Sequence, residues 1–159
     1  MNTALIFPGQ GSQYVGMGKC LSENFKESRE IFKRVDEALK ENLSKIIWDG
    51  SEAELKLTHN AQPALMATSM AAVTAAKVEG FDFGDVTHVA GHSLGEYSAL
   101  CYANAIEVED AAKILRSRGL AMQDAVPQGL GGMAAIIGLD INAVKKTLSS
   151  MSSLEVCEV

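Results

Sequence analysis

Gly91-His92-Ser93-Leu94-Gly95 sets one hydroxyl between two glycines, directly after the apolar run Val86 to Ala90 and directly before a second apolar segment, Leu94 to Ala103. Strand, turn, helix is the order in which a G-x-S-x-G serine acts as a nucleophile on an acyl carbon. A sharp turn lifts the hydroxyl above the end of the sheet. The flanking positions are glycine because neighbouring backbone passes too close for a side chain. The serine stands at a helix N-terminus, where free N–H groups and the helix dipole favour a developing oxyanion, and the N–H of Leu94 is one such donor. The competing reading of Ser93 is a plain helix N-cap in a tight turn.

A nucleophilic serine needs a base within hydrogen-bond reach. The chain has three histidines, His59, His88 and His92. His92 adjoins Ser93, but neighbouring side chains in such a turn point apart. His88 reads as a strand-end residue and His59 as part of a loop ahead of a long helix. In elbow enzymes the histidine follows the serine, and here none follows position 92. A second chemical signal is Arg118, which shares a helical stripe with Ala111, Leu115, Met122 and Ala125. A guanidinium on an apolar face wants a carboxylate or phosphate held by two parallel bonds. An internal salt bridge and a substrate carboxylate both satisfy that need. Arg116 falls with Glu109, Lys113 and Gln123 on what reads as the solvated face.

The elements that must position these residues alternate between strand and helix, which predicts an α/β fold with a parallel sheet. Ala4 to Phe7 reads as a buried strand stopped by Pro8-Gly9, followed by the glycine-rich turn GQGSQYVGMG. Apolar residues at helical spacing predict an amphipathic helix from Phe25 to Leu39. Ser51 with Glu54 forms a capping box for a short helix. Asn60 is expected to cap a long apolar helix, with Pro63 tolerated in its first turn. Ala61 to Ala76 runs sixteen residues without a charge. That is too short to span a bilayer and fits a helix buried on most sides. A helix is predicted from Glu109 to about Ala125, a strand over GGMAAIIGL, a helix capped by Asp140 to about Leu148, and a further strand in LEVCEV.

The chain has 159 residues, a hydrophobic content of 47% and a net charge of −6. That is enough for a domain with a core, and it lacks the basic footprint of nucleic-acid binding and any attraction for anionic lipid. Cys20, Cys101 and Cys157 show no paired spacing, so they read as buried thiols in a reducing compartment rather than as disulfides or zinc ligands. The N-terminus has no basic flank or long apolar core of a signal peptide, and the cytoplasm is the expected location.

FPGQGSQYVGMG at the start, AQPAL at 61–65, GHSLGEYSAL at 91–100, RGLAMQ at 118–123 and GGMAAIIGL at 131–139 occur together and in order. In this the chain closely resembles the malonyl-CoA:acyl carrier protein transacylases of fatty-acid synthesis, and more widely the acyltransferase domains of polyketide synthases. The resemblance implies ping-pong transfer: Ser93 takes malonyl from coenzyme A, and the phosphopantetheine thiol of acyl carrier protein takes it from Ser93. It implies Gln10 and Leu94 as backbone donors of the oxyanion hole and Arg118 as the grip on the malonyl carboxylate. Gln62 becomes a recurrent glutamine near the site, and His92 a residue that shapes the pocket. No metal or bound organic cofactor is implied; malonyl-CoA and the carrier protein are substrates.

The resemblance also implies a hydrolase-like core over 1–128 and the beginning of an inserted ferredoxin-like subdomain over 129–159. Family members are much longer, and their catalytic histidine lies at a position past Val159. The chain therefore reads as the N-terminal portion of such an enzyme, with an open sheet edge that self-association or a partner would cover. Docking of an acidic carrier protein would need a local basic patch, with Arg116 and Lys145-Lys146 as candidates. A serine thioesterase and a non-catalytic binding fragment are the alternative functions.

Overall fold

The computed structural model describes residues 2–126 and 136–150. The chain forms two compact units, Met1–Ala125 and Val126–Val159. In the first, strand β1 (Asn2–Phe7) pairs in parallel with β2 (Asp85–Gly91). The register runs from Asn2 opposite Asp85 to Phe7 opposite Gly91, with one irregularity between Thr3 and Ala4. The predicted parallel sheet is thus present, with helices filling the crossover between its strands.

The helical part is built around α5 (Thr58–Val78). Its predicted burial on most sides is borne out: Asn60 to Ala67, Met70, Ala71 and Ala75 are all buried. The amphipathic helix predicted from Phe25 is α2 (Lys26–Leu39), which buries Ile31, Phe32 and Val35. The remaining helices of this unit are α1 (Lys19–Asn24), α3 (Leu43–Asp49), α4 (Glu52–Lys56), α6 (Gly95–Tyr102) and α7 (Val108–Ala125). Met17, Phe32, Leu43, Ile47, Leu55, Met66, Leu94 and Leu115 join in one apolar core. The Ser51 hydroxyl accepts the Glu54 N–H at 3.1 Å and starts α4 as the capping pattern predicts.

Asn60 is not the cap of α5. The helix begins three residues earlier than that cap would place it, at Thr58 after Leu57, and the Asn60 amide instead donates to the Glu54 carbonyl at 2.9 Å. The α4 carbonyl is a better partner for that amide, because both groups are withdrawn from water at the α4–α5 corner. The expectation of buried thiols holds for Cys101 and fails for Cys20, which is exposed on α1, a helix with Ser22 as its buried residue.

In the second unit α8 (Ile141–Ser150) is capped by Asp140, whose Oδ1 accepts the N–H groups of Asn142 at 2.7 Å and Ala143 at 3.3 Å. The predicted strand over GGMAAIIGL is not found where it can be seen: residues 136–139 are irregular, with Gly138 at φ 87°. Residues 131–135 and the LEVCEV strand lie outside the described residues. No helix among the described residues is long and apolar enough to cross a membrane.

Candidate active site

The link from β2 to α6 is a tight turn. His92 N–H continues the parallel ladder by donating to Phe7 O at 3.1 Å, and Gly95 N–H then closes on His92 O at 2.9 Å. Between them Ser93 is forced to φ 54°, the left-handed region that side-chain-bearing residues rarely occupy. The two glycines are sterically required. A Cβ on Gly95 would lie 2.5 Å from Phe7 O and 2.8 Å from Pro8 O, and a Cβ on Gly91 would fall inside the backbone of Gly95. Strain of this kind persists only where the surrounding structure over-determines it, and it concentrates at functional positions. Ser93 itself is exposed while Leu94 and Gly95 are buried.

Two backbone donors are free near this turn. Among the described residues neither the Gln10 nor the Leu94 N–H has an acceptor. The loop after β1 comes against the serine turn: a Cβ on Gly9 would stand 2.9 Å from His92 O. The Gln10 side chain reaches the other way, its Nε2 donating to Thr58 Oγ1 at 3.4 Å.

Arg118 closes the site from α7. Its Nη2 donates to Ser93 Oγ at 3.1 Å and its Nη1 to Gln62 Oε1 at 2.5 Å. Gln62, fully buried on α5, in turn donates through Nε2 to Met122 Sδ at 3.4 Å. Arg118 thus has neither the internal salt bridge nor any other carboxylate partner among the described residues. A guanidinium held by an amide and a hydroxyl keeps its full charge available to an anion. Of the residues singled out from the sequence, Ser93, Arg118 and Gln62 are directly hydrogen-bonded together, with Leu94 and His92 in the same turn and Gln10 in the adjoining loop.

None of the three imidazoles hydrogen-bonds Ser93. His88 lies inside β2 rather than at its end, exposed, with Nδ1 3.0 Å from Thr87 Oγ1. His59 lies in the first turn of α5, not in a loop; burial and the nearby Arg116 charge hold its pKa below the ordinary histidine value. A surface cleft of about 590 Å³ runs beside His59 and Ser117, but neither Ser93 nor Arg118 lines it.

The solvated reading of Arg116 is corrected. Its side chain is 12% exposed, with Nη1 2.5 Å from Asn60 Oδ1 and Nη2 2.7 Å from Glu41 Oε2. The reason is the facing of α7. The stripe it buries is Val108, Ala111, Ala112, Leu115 and Gly119. At about 100° per residue that stripe is turned by roughly 60° from the one containing Met122 and Ala125. Met122 is 39% exposed. Asn60 and Glu41 were not legible as partners of Arg116, because only the packing of α7 on its neighbours brings them in. Among the described residues no group of three or more His, Cys, Asp or Glu could hold a metal ion.

The sequence model of the acyl transferase domain matches residues 4–153. The malonyl CoA-acyl carrier protein transacylase of Bacillus subtilis strain 168 is 47% identical over 151 residues, covering 94% of this chain and 46% of that protein. The acyl-carrier-protein-S-malonyltransferase of Bartonella henselae superposes with a TM-score of 0.90 at 50% identity, over 100% of this chain and 51% of that one. A type II polyketide-synthase acyl carrier protein in complex with its malonyl-transacylase gives a TM-score of 0.85 at 38% identity, over 96% and 48% of the two chains. The chain spans about half the length of the curated relatives it matches.

Proposed function

The chain belongs to the acyl transferase domain family, and from that premise we propose that it carries the acyl-serine half of a malonyl transfer from coenzyme A to an acyl carrier protein. The observation that carries the reading is the Arg118 guanidinium 3.1 Å from the strained, exposed Ser93 hydroxyl. A nucleophile that accepts only unbranched neutral acyl groups has no use for a cation at that distance. A nucleophile that accepts malonyl does, because that acyl group carries a free carboxylate for the guanidinium to hold.

In this reading Ser93 Oγ attacks the thioester carbon, and the Gln10 and Leu94 N–H groups receive the oxyanion. The C–S bond to coenzyme A breaks and the thiol leaves with the proton. The malonyl carboxylate replaces Ser93 Oγ and Gln62 Oε1 as partner of Arg118, an anionic acceptor held by two parallel bonds in place of two neutral ones. The phosphopantetheine thiol of the carrier protein then attacks the ester, and the proton returns to Ser93. His92 shapes the wall of the site from beside Gly9. The base comes from the part of the domain that the longer relatives possess outside the matched span. Residues 129–159 begin the small subdomain, and Lys145 and Lys146, both exposed, offer its basic contact to an acidic carrier; Arg116, engaged inside the first unit, does not. Self-association or a partner covers the open sheet edge, and the reaction takes place in the cytoplasm.

Intact-mass measurement after incubation with malonyl-CoA tests the reading. A malonyl adduct that maps to Ser93, and is lost in Ser93→Ala, is the expected result. Adduct at another residue, or equal adduct in Ser93→Ala, defeats it, and steady release of free malonate instead of transfer assigns a thioesterase.

A further inference from the structure

Arg116 and Arg118 sit on opposite flanks of one helix–helix seam. At about 100° per residue, each lies roughly 80° from the centre of the buried stripe of α7, on opposite sides. Their partners on α5, Asn60 and Gln62, are likewise two residues apart, so the helices are joined by two arginine–amide rungs in matching register. Between the rungs the backbones nearly touch: a Cβ on Gly119 would lie 2.7 Å from His59 N and 2.9 Å from Thr58 O. The close approach at Gly119 puts no side chain between the helices there, so their roll is set by the contacts around it: the buried Ala111, Ala112 and Leu115 and, at the flanks, the two rungs.

The outer rung is tied beyond α5. Arg116 bridges Asn60 to Glu41, past the end of α2, and Asn60 also holds the Glu54 carbonyl of α4. One guanidinium thereby anchors α7 to three other segments. The inner rung has Ser93 at its tip. We propose that Arg116, held by Asn60 and Glu41, is a positioning residue for Arg118: it fixes the roll of α7 on α5 so that the Arg118 guanidinium keeps both Gln62 and Ser93. The geometry stands on the ligand-free site, while its catalytic meaning rests on the carboxylate reading of Arg118.

The test is side-chain NMR of the full chain labelled with 15N-arginine, without ligand, with Arg118 signals assigned by their loss in Arg118→Lys. A guanidinium bonded through both Nη atoms shows hindered rotation and resolved Hη signals. In Arg116→Met the Arg118 Hη exchange rate should rise at least about threefold, the effect expected of residues sharing one network. Arg116→Lys, which keeps the Glu41 charge pair but not the planar fork, should fall between. Arg34→Met breaks a comparable ion pair between α2 and α7 at Glu109 and serves as the control; it should lower the melting temperature and leave Arg118 unchanged. If Arg116→Met does not fold, Glu41→Gln and Asn60→Ser supply the same readout from the other ends of the anchor. Unchanged Arg118 exchange in the folded variants, or an equal rise in Arg34→Met, overturns the proposal. Titration of the wild-type chain with malonyl-CoA is a separate arm. Failure of that ligand to shift Arg118 defeats the carboxylate reading and leaves the positioning relation to be decided by the variants.

Discussion

Arg118 Nη2 lies 3.1 Å from Ser93 Oγ, although the two residues are separated by 25 positions and reach the site from different elements. Ser93 is aimed by a strained turn at the end of β2, Arg118 by the packing of α7 on α5. Their meeting sets a cation beside the exposed hydroxyl. In an assay of malonyl against acetyl transfer, Arg118→Ala should lower kcat/KM for malonyl by about 10- to 100-fold, the worth of a charge-assisted hydrogen bond. The acetyl rate should hold or rise, because the same change frees the Ser93 hydroxyl from its bond to the guanidinium. Equal losses for both donors would remove the carboxylate role.

The backward turn at Ser93 costs stability that glycine would recover. Ser93→Gly and Ser93→Ala both delete the hydroxyl and its bond to Arg118, so in the folded state they differ only in whether a Cβ must occupy φ 54°. The Cβ penalty in the left-handed region exceeds the extra chain entropy that glycine loses on folding, so Ser93→Gly should be the more stable by about 0.5 kcal/mol. Paired denaturant titrations decide it. A Ser93→Ala protein more stable than Ser93→Gly would show that the turn is not strained.

The tight turn at Ser93 was legible in the sequence because its causes are local. Gly91 and Gly95 are needed by backbone within a few residues and by Phe7, and three fixed positions in five report that need. The long apolar helix was legible in the same way, from sixteen uncharged residues. The facing of α7 was not. Met122 and Ala125 extend one stripe in the sequence, but the helix buries the stripe through Ala112 and Gly119 instead. Gly119 is the deciding residue, because its missing Cβ lets α5 approach on that side. Arg116 consequently turns inward. Its burial is a tertiary fact: the carboxylate that takes it belongs to Glu41, a separation of 75 residues.

Cys101 gives the fold a pH dependence with a defined sign. Burial, aided by Glu107 and opposed by Arg34, pushes its thiol from the ordinary value of 9.0 up to about 11. The folded state therefore keeps the proton over a range where the unfolded chain has lost it. Stability from this group is present below about pH 9 and is lost as pH rises through about 11. Denaturation midpoints of wild type and Cys101→Ala, compared from about pH 8 to about pH 11, should draw together as pH rises. A constant difference would place the thiol in water. Exposed Cys20 should alkylate rapidly under native conditions while Cys101 reacts only on unfolding.

The last prediction concerns the proton on Ser93. The hydroxyl accepts a bond from a cation, and no imidazole or carboxylate among the described residues accepts one from it. A guanidinium donor lowers the nucleophilicity of an oxygen it bonds to, so Arg118 cannot act as the base and in the free state restrains Ser93. On the proposed reading, a substrate carboxylate that occupies Arg118 releases that restraint, so that recognition and activation of Ser93 are coupled. The proton still needs an acceptor. Transfer by these 159 residues should accordingly be slower than by a whole domain of a relative by at least about 10³-fold, the loss that follows removal of a triad base. The deficit should shrink as pH rises, because hydroxide can take the proton for which no described side chain is the acceptor. Single-turnover acylation by malonyl-CoA, followed by mass across pH, measures both. Acylation as fast as in the whole domain, with a plateau at neutral pH, would mean that one of His59, His88 or His92 reaches Ser93 after all.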